Sequence, residues 1–440
     1  MKIKFFNMID YVLLLCILVL TTLGIAFIYS SAIDSTGTLR TTEFIKQIIW
    51  ASAGLVLMIL MALYDYRRLY RYAKYFIVGI VVVLIYTRLF GAKVNGARSW
   101  IGVGSLGIQP SEVSKVFFIV FFAWFLDYSK NMQERKRFIF SLLLLLIPMG
   151  LILLQPDLGT ASVFVPIFLF MCFMAGVPVK YLALVLSAGL LTIIITVIPV
   201  WQSEILHKTI PFLSVLTSTK LRFLLIAVTL IITIIGAIGN LVFKQKYFYW
   251  ITYVFGVITF ALVASLGAEK VLKPYQIQRL IVFIDPSSDP RGSGWNIIQS
   301  EIAIGSGNLS GRGFMKGTQS HYRFLPQQST DFIFSIYSEE TGFLGGVFLF
   351  AIFLIIFLRI IYIIRQTTNN FGSYIASGIL GMFFFHFMVN VGMVMGVMPI
   401  TGIPLPFLSY GGSALLTNML AVGLLMSINA RRLDFSAMAM

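Results

Sequence analysis

Apolar runs long enough to cross a bilayer, about 17–25 residues each, recur along the whole chain. They fall near 11–29, 45–64, 75–90, 110–127, 138–154, 158–176, 180–200, 221–243, 247–268, 331–358, 372–396 and 409–429. In lipid the backbone must satisfy its own hydrogen bonds, so such runs are helices unless they close a barrel. The expected fold is an all-α polytopic membrane bundle of about 12 spans, a single domain over 1–440 with one large loop at 269–330. Composition agrees: 58% of residues are hydrophobic and 11% charged, against about 25% charged in a soluble protein. The net charge of +16 does not indicate nucleic-acid binding, which needs a basic face on a soluble fold. Here the cations cluster in short loops between apolar runs. The run after Lys2 and Lys4 is too long for a signal peptide and reads as an uncleaved first span. Cys16 and Cys172 both lie inside apolar runs, and His207, His321 and His386 are far apart, so neither a disulfide framework nor a metal cluster is implied.

Loop charge sets the orientation. Arg67, Arg68, Arg71 and Lys74, then Arg135 to Arg137, Lys180, Lys244 and Lys246, Arg359 and Arg365, and the Arg431-Arg432 tail fall on one side. That side is expected to be cytoplasmic, with both termini. The loops 31–44, 91–108, 199–219, 269–330 and 397–408 then face out. The loop 269–330 faces out yet carries Lys270, Lys273, Arg279, Arg291, Arg312, Lys316 and Arg323. Long loops translocate regardless of charge; equally, these cations suit a phosphate or diphosphate.

Four polar clusters sit at the outward ends of spans. Arg98-Ser-Trp-Ile101 leads to Gln109-Pro-Ser-Glu-Val-Ser-Lys115, where Glu112 and Lys115 share a helix face. Each charge at the hydrocarbon centre costs about 2.5–3.5 kcal/mol, so the two either lock helices as an ion pair or line a hydrated cavity. Gln155-Pro-Asp-Leu-Gly159 breaks the helix at Pro156, and Asp157 reads first as a cap for the following helix. The prolines of 399–413 demand irregular backbone, tolerated only in protein or at a cavity. The fourth cluster ends at Asp331, which reads either as a first-turn acid behind an N-cap Thr330 or as a general base between apolar walls. Glu339 and Glu340, about 12 Å deeper, are expected to pair with buried cations or hydroxyls. Asp285 and Asp289 read as turn residues. The glycines of 305–317 lack the strand–turn–helix setting of a dinucleotide site.

Together QPSEVSK (109–115), QPDLGTA (155–161), GSGWNIIQSEIAIGSG (292–307), FLPQQSTDFIF (324–334), EETGFLGG (339–346) and GIPLPFLSYGGS (402–413) resemble the SEDS family of bacterial cell-wall polymerases. The resemblance spans nearly the whole chain, and RSWIGVG (98–104) and GFMKGTQSHYRFLP (313–326) look more like its RodA branch than its FtsW branch. It implies an inverting glycosyltransferase that polymerises lipid II into β-1,4 glycan strands at the outer face of the cytoplasmic membrane, for elongation and rod shape. Undecaprenyl diphosphate would leave. Asp331 is implied as the catalytic base. Arg98, Trp100, Glu112, Lys115, Asp157, Arg279, Gln299, Ser300, Lys316, Thr330 and Ser409 are the substrate-binding candidates on matching or adjoining positions. Arg279, Arg291, Arg312 and Lys316 are the candidates for the diphosphate, with magnesium or manganese as the one cofactor left open. A class B penicillin-binding transpeptidase and the elongation complex are the implied partners. The chain departs from the family's usual ten or so spans at 201–268, which reads as an inserted helix pair. It also has Gln327-Gln328-Ser329 where relatives commonly carry an acid and a histidine. The rival functions are a flippase or transporter of the lipid-linked precursor, a division polymerase of the FtsW type, and a non-catalytic scaffold.

Overall fold

The computed structural model describes residues 9–94, 97–102, 107–202, 210, 214–271, 273–290 and 292–431. Lys2, Lys4, His207, Arg291 and Arg432 lie outside them. The helices are α1 (Tyr11–Ala32), α2 (Glu43–Leu63), α3 (Leu69–Phe90), α4 (Pro110–Tyr128), α5 (Glu134–Leu153), α6 (Leu158–Met174), α7 (Val179–Trp201), α8 (Ser214–Thr217), α9 (Thr219–Phe243), α10 (Lys246–Val271), α11 (Pro274–Ile284), α12 (Ser293–Ser306), α13 (Thr318–His321), α14 (Ile333–Gln366), α15 (Asn370–Val394) and α16 (Gly412–Ala430). Ten of them are long and apolar enough to cross a membrane. The two remaining expected spans are helical too: α4, which carries Glu112, Lys115 and Asp127, and α6, of 17 residues. Polar caps start several of these helices. Asp10 accepts from Leu13 N, Asn369 accepts from Phe371 N, and Pro110 opens α4, where its missing N–H costs nothing.

The chain divides into two compact units, 1–177 with 295–440, and 178–294. In the smaller unit α9 packs on α10 and α10 on α7. The expected pair 201–268 is therefore α9 and α10, inside a unit that also holds α7 and α11.

In the larger unit α16 packs on α2, and α15 packs on α4, α6 and α14. Small residues allow the closeness: a Cβ on Gly381 would sit 2.8 Å from the Pro166 carbonyl. Hydrogen bonds gather the helix ends into two sets. At one end Arg359 and Asn429 both donate to Asp10, and Arg431 donates to the Ala62 and Leu63 carbonyls. Nearby charge is used in the same way, since Arg137 donates to the Leu126 carbonyl in the last turn of α4 and to the Ala175 carbonyl just beyond α6. At the opposite end Ser329 donates to Glu43, Gln109 to Asp157, and Ser413 accepts from Gln109 N. The four polar clusters of the sequence all belong to this second end. A short antiparallel ribbon, β1 (Ala92–Val94) with β2 (Ala97–Trp100), was not expected within 91–108. It carries Trp100 toward the cavity described next.

Candidate active site

A cavity of about 400 Å³ lies at the polar end of the larger unit. Its walls come from Trp50 on α2, Trp100 on β2, Gln109 and Glu112 at the start of α4, Asp157 and Thr160 at the start of α6, and Thr330 and Asp331 before α14. His386 on α15 and segments of 402–404 and 410–414 also line it. One residue or more from each of the four sequence clusters meets here. Pro110 and Asp157 set this geometry locally, because each begins a helix at the same level and turns its first polar side chains inward.

The charges on the walls are already engaged. Lys115 Nζ, with no exposed surface, donates to both Glu112 oxygens at 2.8 Å and lies 3.0 Å from His386 Nε2. Lysine only donates, so Nε2 is the acceptor and Nδ1 carries the proton that His386 gives to the Pro404 carbonyl at 3.0 Å. The ion pair and the cavity wall, alternatives in the sequence, are thus one arrangement. Asp157 caps α6 as expected, accepting from Thr160 N and Oγ1, and it also accepts from Gln109 Nε2 at 2.8 Å. Behind Tyr410, Gln47 donates to the Ser409 carbonyl and Tyr410 N donates to the Ser329 carbonyl. Burial, then the Glu43 carboxylate, pushes the Tyr410 phenol up, so it stays protonated at the cavity wall.

Asp331 is half-buried and stands in a turn, not in the first helical turn. The N-cap position of α14 is Phe332, without a side-chain cap, and Thr330 donates instead to the Gln327 carbonyl. Helix capping by Thr330 is therefore corrected. What holds the Asp331 backbone is Asn390 Nδ2, which donates to its carbonyl at 3.0 Å.

The glycine-rich stretch 305–313 packs against a break in α14. α14 has 34 residues, about 51 Å if straight, and is broken at Gly342, whose φ of 69° and ψ of −164° suit only glycine. The break frees backbone groups that 308–313 satisfies. Phe343 N and Leu344 N donate to the Asn308 and Leu309 carbonyls, while Arg312 N and Gly313 N donate to the Glu339 and Glu340 carbonyls. A Cβ on Gly311 would meet the Glu340 carbonyl at 2.1 Å. Glu340 accepts from the Ser30 hydroxyl and Met315 N, and Glu339 accepts from Thr318 N, Thr318 Oγ1 and Gln319 N. As expected, both acids bond hydroxyls, and backbone amides join in.

Several candidates fall away from the cavity wall. Ser300 joins helices, bonding Ser335 Oγ at 2.7 Å and donating to the Val394 carbonyl at 2.6 Å. Gln299 is buried beside it on α12. Ser409 is buried behind the wall, accepting from Leu405 N. Arg98 is exposed and donates to the Leu89 carbonyl, Lys316 is exposed, and Arg312 bonds Thr318 Oγ1. Arg279 belongs to the other compact unit, where it stacks over Tyr275. Trp100, Glu112, Asp157, Thr330 and Asp331 do line the cavity, with Lys115 directly behind Glu112. Trp50, His386, Asn390 and Tyr410 were not singled out from sequence. The only available signal was His386 and Asn390 four apart on an apolar helix, since polar side chains inside a membrane span are commonly functional.

A bundle of membrane-crossing helices with a carboxylate-lined cavity at one end defines a multi-pass integral membrane protein. The family model of the FtsW/RodA/SpoVE cell cycle proteins matches residues 10–220 and 217–433. The chain belongs to this family. It is 51% identical over 433 residues to the peptidoglycan glycosyltransferase RodA of Treponema pallidum, covering 98% of this chain and 100% of that protein. It is 30% identical to the peptidoglycan glycosyltransferase MrdB of Escherichia coli K12, covering 96% and 94%. A solved structure of a peptidoglycan synthase complex that coordinates polymerization and crosslinking matches with a TM-score of 0.68 at 26% identity, covering 97% of this chain and 98% of that one. The crystal structure of Thermus thermophilus RodA, at 23% identity and a TM-score of 0.60, shares the fold, covering 96% of this chain and 97% of that one.

Proposed function

We propose that this chain is a peptidoglycan glycosyltransferase of the RodA type, polymerising lipid II into β-1,4 glycan strands for cell elongation. The observation that carries this reading is the place of Asp331, half-buried in the turn before α14, on the wall of a 400 Å³ cavity where residues of all four polar clusters meet. Such a volume suits the sugar end of a substrate. The long lipid then remains among the surrounding helices.

In this reading Asp331 takes the proton of the GlcNAc 4-hydroxyl of one lipid II. The oxygen attacks the anomeric carbon of MurNAc on the other chain, a carbon–oxygen bond forms, and the bond to the diphosphate breaks. Undecaprenyl diphosphate leaves with the bonding electrons. An α-linked donor becomes a β-linked product, so a single displacement with one base suffices. Glu112 is neutralised by Lys115, and Asp157 is bonded by Thr160 and Gln109. Neither is placed as a second nucleophile. The indoles of Trp50 and Trp100 offer apolar faces to the sugar rings. Arg312 and Lys316, exposed in the larger unit, remain the proposed partners of the diphosphate. Among the described residues no group of three potential ligands could hold a metal ion. A magnesium or manganese ion at the diphosphate would therefore be held mainly by the phosphate oxygens and water, with at most one or two carboxylates of the cavity.

The basic loops favour a cytoplasmic-membrane location with both termini inside, and the likeness to a synthase complex favours a class B penicillin-binding protein as partner. α9 and α10 are proposed as an addition to the family's ten spans. Purified protein supplied with lipid II should yield long glycan that a muramidase degrades. Movement of lipid II across vesicles without polymer would instead establish the flippase, and neither outcome would leave the scaffold.

A further inference from the structure

The way the cavity is tied together from behind points to a residue that acts on the base without touching substrate. Asn390 is fully buried on α15. Its one NH₂ group has two N–H donors, and both are used: one to the Asp331 carbonyl at 3.0 Å, the other to the Ile403 carbonyl at 2.8 Å. One turn earlier on the same face His386 donates to the Pro404 carbonyl and accepts from Lys115. A single face of α15 therefore holds three pieces of the cavity in register: the turn bearing Asp331, the wall at Ile403 and Pro404, and the Glu112–Lys115 pair.

The turn needs such a hold. Asp331 precedes the first helical residue of α14, Ile333, so no helix geometry fixes its peptide. Its neighbour Ser329 is fixed on the other side, donating to Glu43 and accepting from Tyr410 N. These two anchors flank the peptide from which the Asp331 carboxylate projects. A general base misplaced by about 1 Å can lose about 100-fold in rate.

We infer that Asn390 is a positioning residue for the base, its amide clamping the Asp331 peptide to the Ile403 wall so that the carboxylate meets the acceptor hydroxyl. The inference rests on the reading of Asp331 as the base. A purely structural amide, satisfying two buried carbonyls and nothing more, would affect melting and activity together. Ser427 supplies the control. At the far end of α16 it also makes two backbone bonds, donating to the Tyr64 carbonyl at 2.6 Å and accepting from Tyr66 N at 3.2 Å.

The experiment measures kcat, KM for lipid II and melting temperature of the purified full chain for Asn390→Ala, Asn390→Ser, Ser427→Ala and Asp331→Asn. Asn390→Ala is expected to lower kcat at least about tenfold with KM within about threefold. Asn390→Ser, which keeps one donor and serves if the alanine variant does not fold, should fall between it and the wild type. Ser427→Ala should lower the melting temperature with kcat unchanged. The inference is overturned if the Asn390 variants keep wild-type kcat, or if Ser427→Ala loses kcat in proportion to its melting temperature as they do. An active Asp331→Asn overturns the base assignment itself. An inactive Asp331→Asn beside fully active Asn390 variants overturns only the positioning role.

Discussion

The α15–α16 core and the α9–α10 pair are made of similarly apolar helices, yet they are buried in opposite ways. In their most apolar windows 72% and 78% of α15 and α16 is buried inside the protein, against 17% and 22% of α9 and α10. The first pair is enclosed by protein and admits Asn390, His386, Ser413 and Asn418 to its interior. The second presents Leu224, Ile231, Ile235 and Ile238 outward, and its buried polar groups include Arg222, which donates to Ser265 at 2.6 Å. Polar chemistry in a membrane chain is tolerable where protein, not lipid, supplies the partners. The catalytic apparatus is therefore expected where enclosure is greatest.

Substitutions can break that contrast, beginning with the largest effect. Lys115→Met leaves Glu112 buried without its cation and should cost about 3–5 kcal/mol, seen as a large drop in melting temperature. Adding Glu112→Gln should recover much of it. If Lys115→Met alone melts like the wild type, the pair is not the desolvated lock described. Gly342→Ala places a side chain at a φ of 69°, where its Cβ would meet Gly311 N at 2.3 Å. It should cost about 2–3 kcal/mol, and protease cutting within 308–318 should rise as the loop comes off the kink. Unchanged cutting would contradict the clasp. Ile235→Leu, on the exposed side of α9, should change stability by less than about 0.5 kcal/mol and leave polymer yield alone. A marked loss there would show that the outward face of α9 has a partner.

The sequence made legible whatever is costly in lipid. Glu112, Lys115, Asp157 and Asp331 stand out because a charge in or beside an apolar run demands an explanation, and four such clusters at one level already imply a common cavity. Neutral groups gave weaker signals. Asn390 and His386 cost less to bury and read as isolated polar residues, and Trp50 looks like any aromatic in a span. The glycines of 305–313 had no assignable role in the sequence for a physical reason: a chain that must lie against a broken helix needs the same small residues as one that cradles a phosphate. Thr330 looked like a cap because its type favours that role, but the turn that presents Asp331 delays the helix to Ile333.

In the proposed reaction one carboxylate, that of Asp331, carries the chemistry. The direct test compares Asp331→Asn with the wild type at saturating lipid II, with binding of lipid II measured separately. A base role for Asp331 requires that the near-isosteric variant still binds lipid II but polymerises at least about 100-fold more slowly. Polymerisation at the wild-type rate would contradict it.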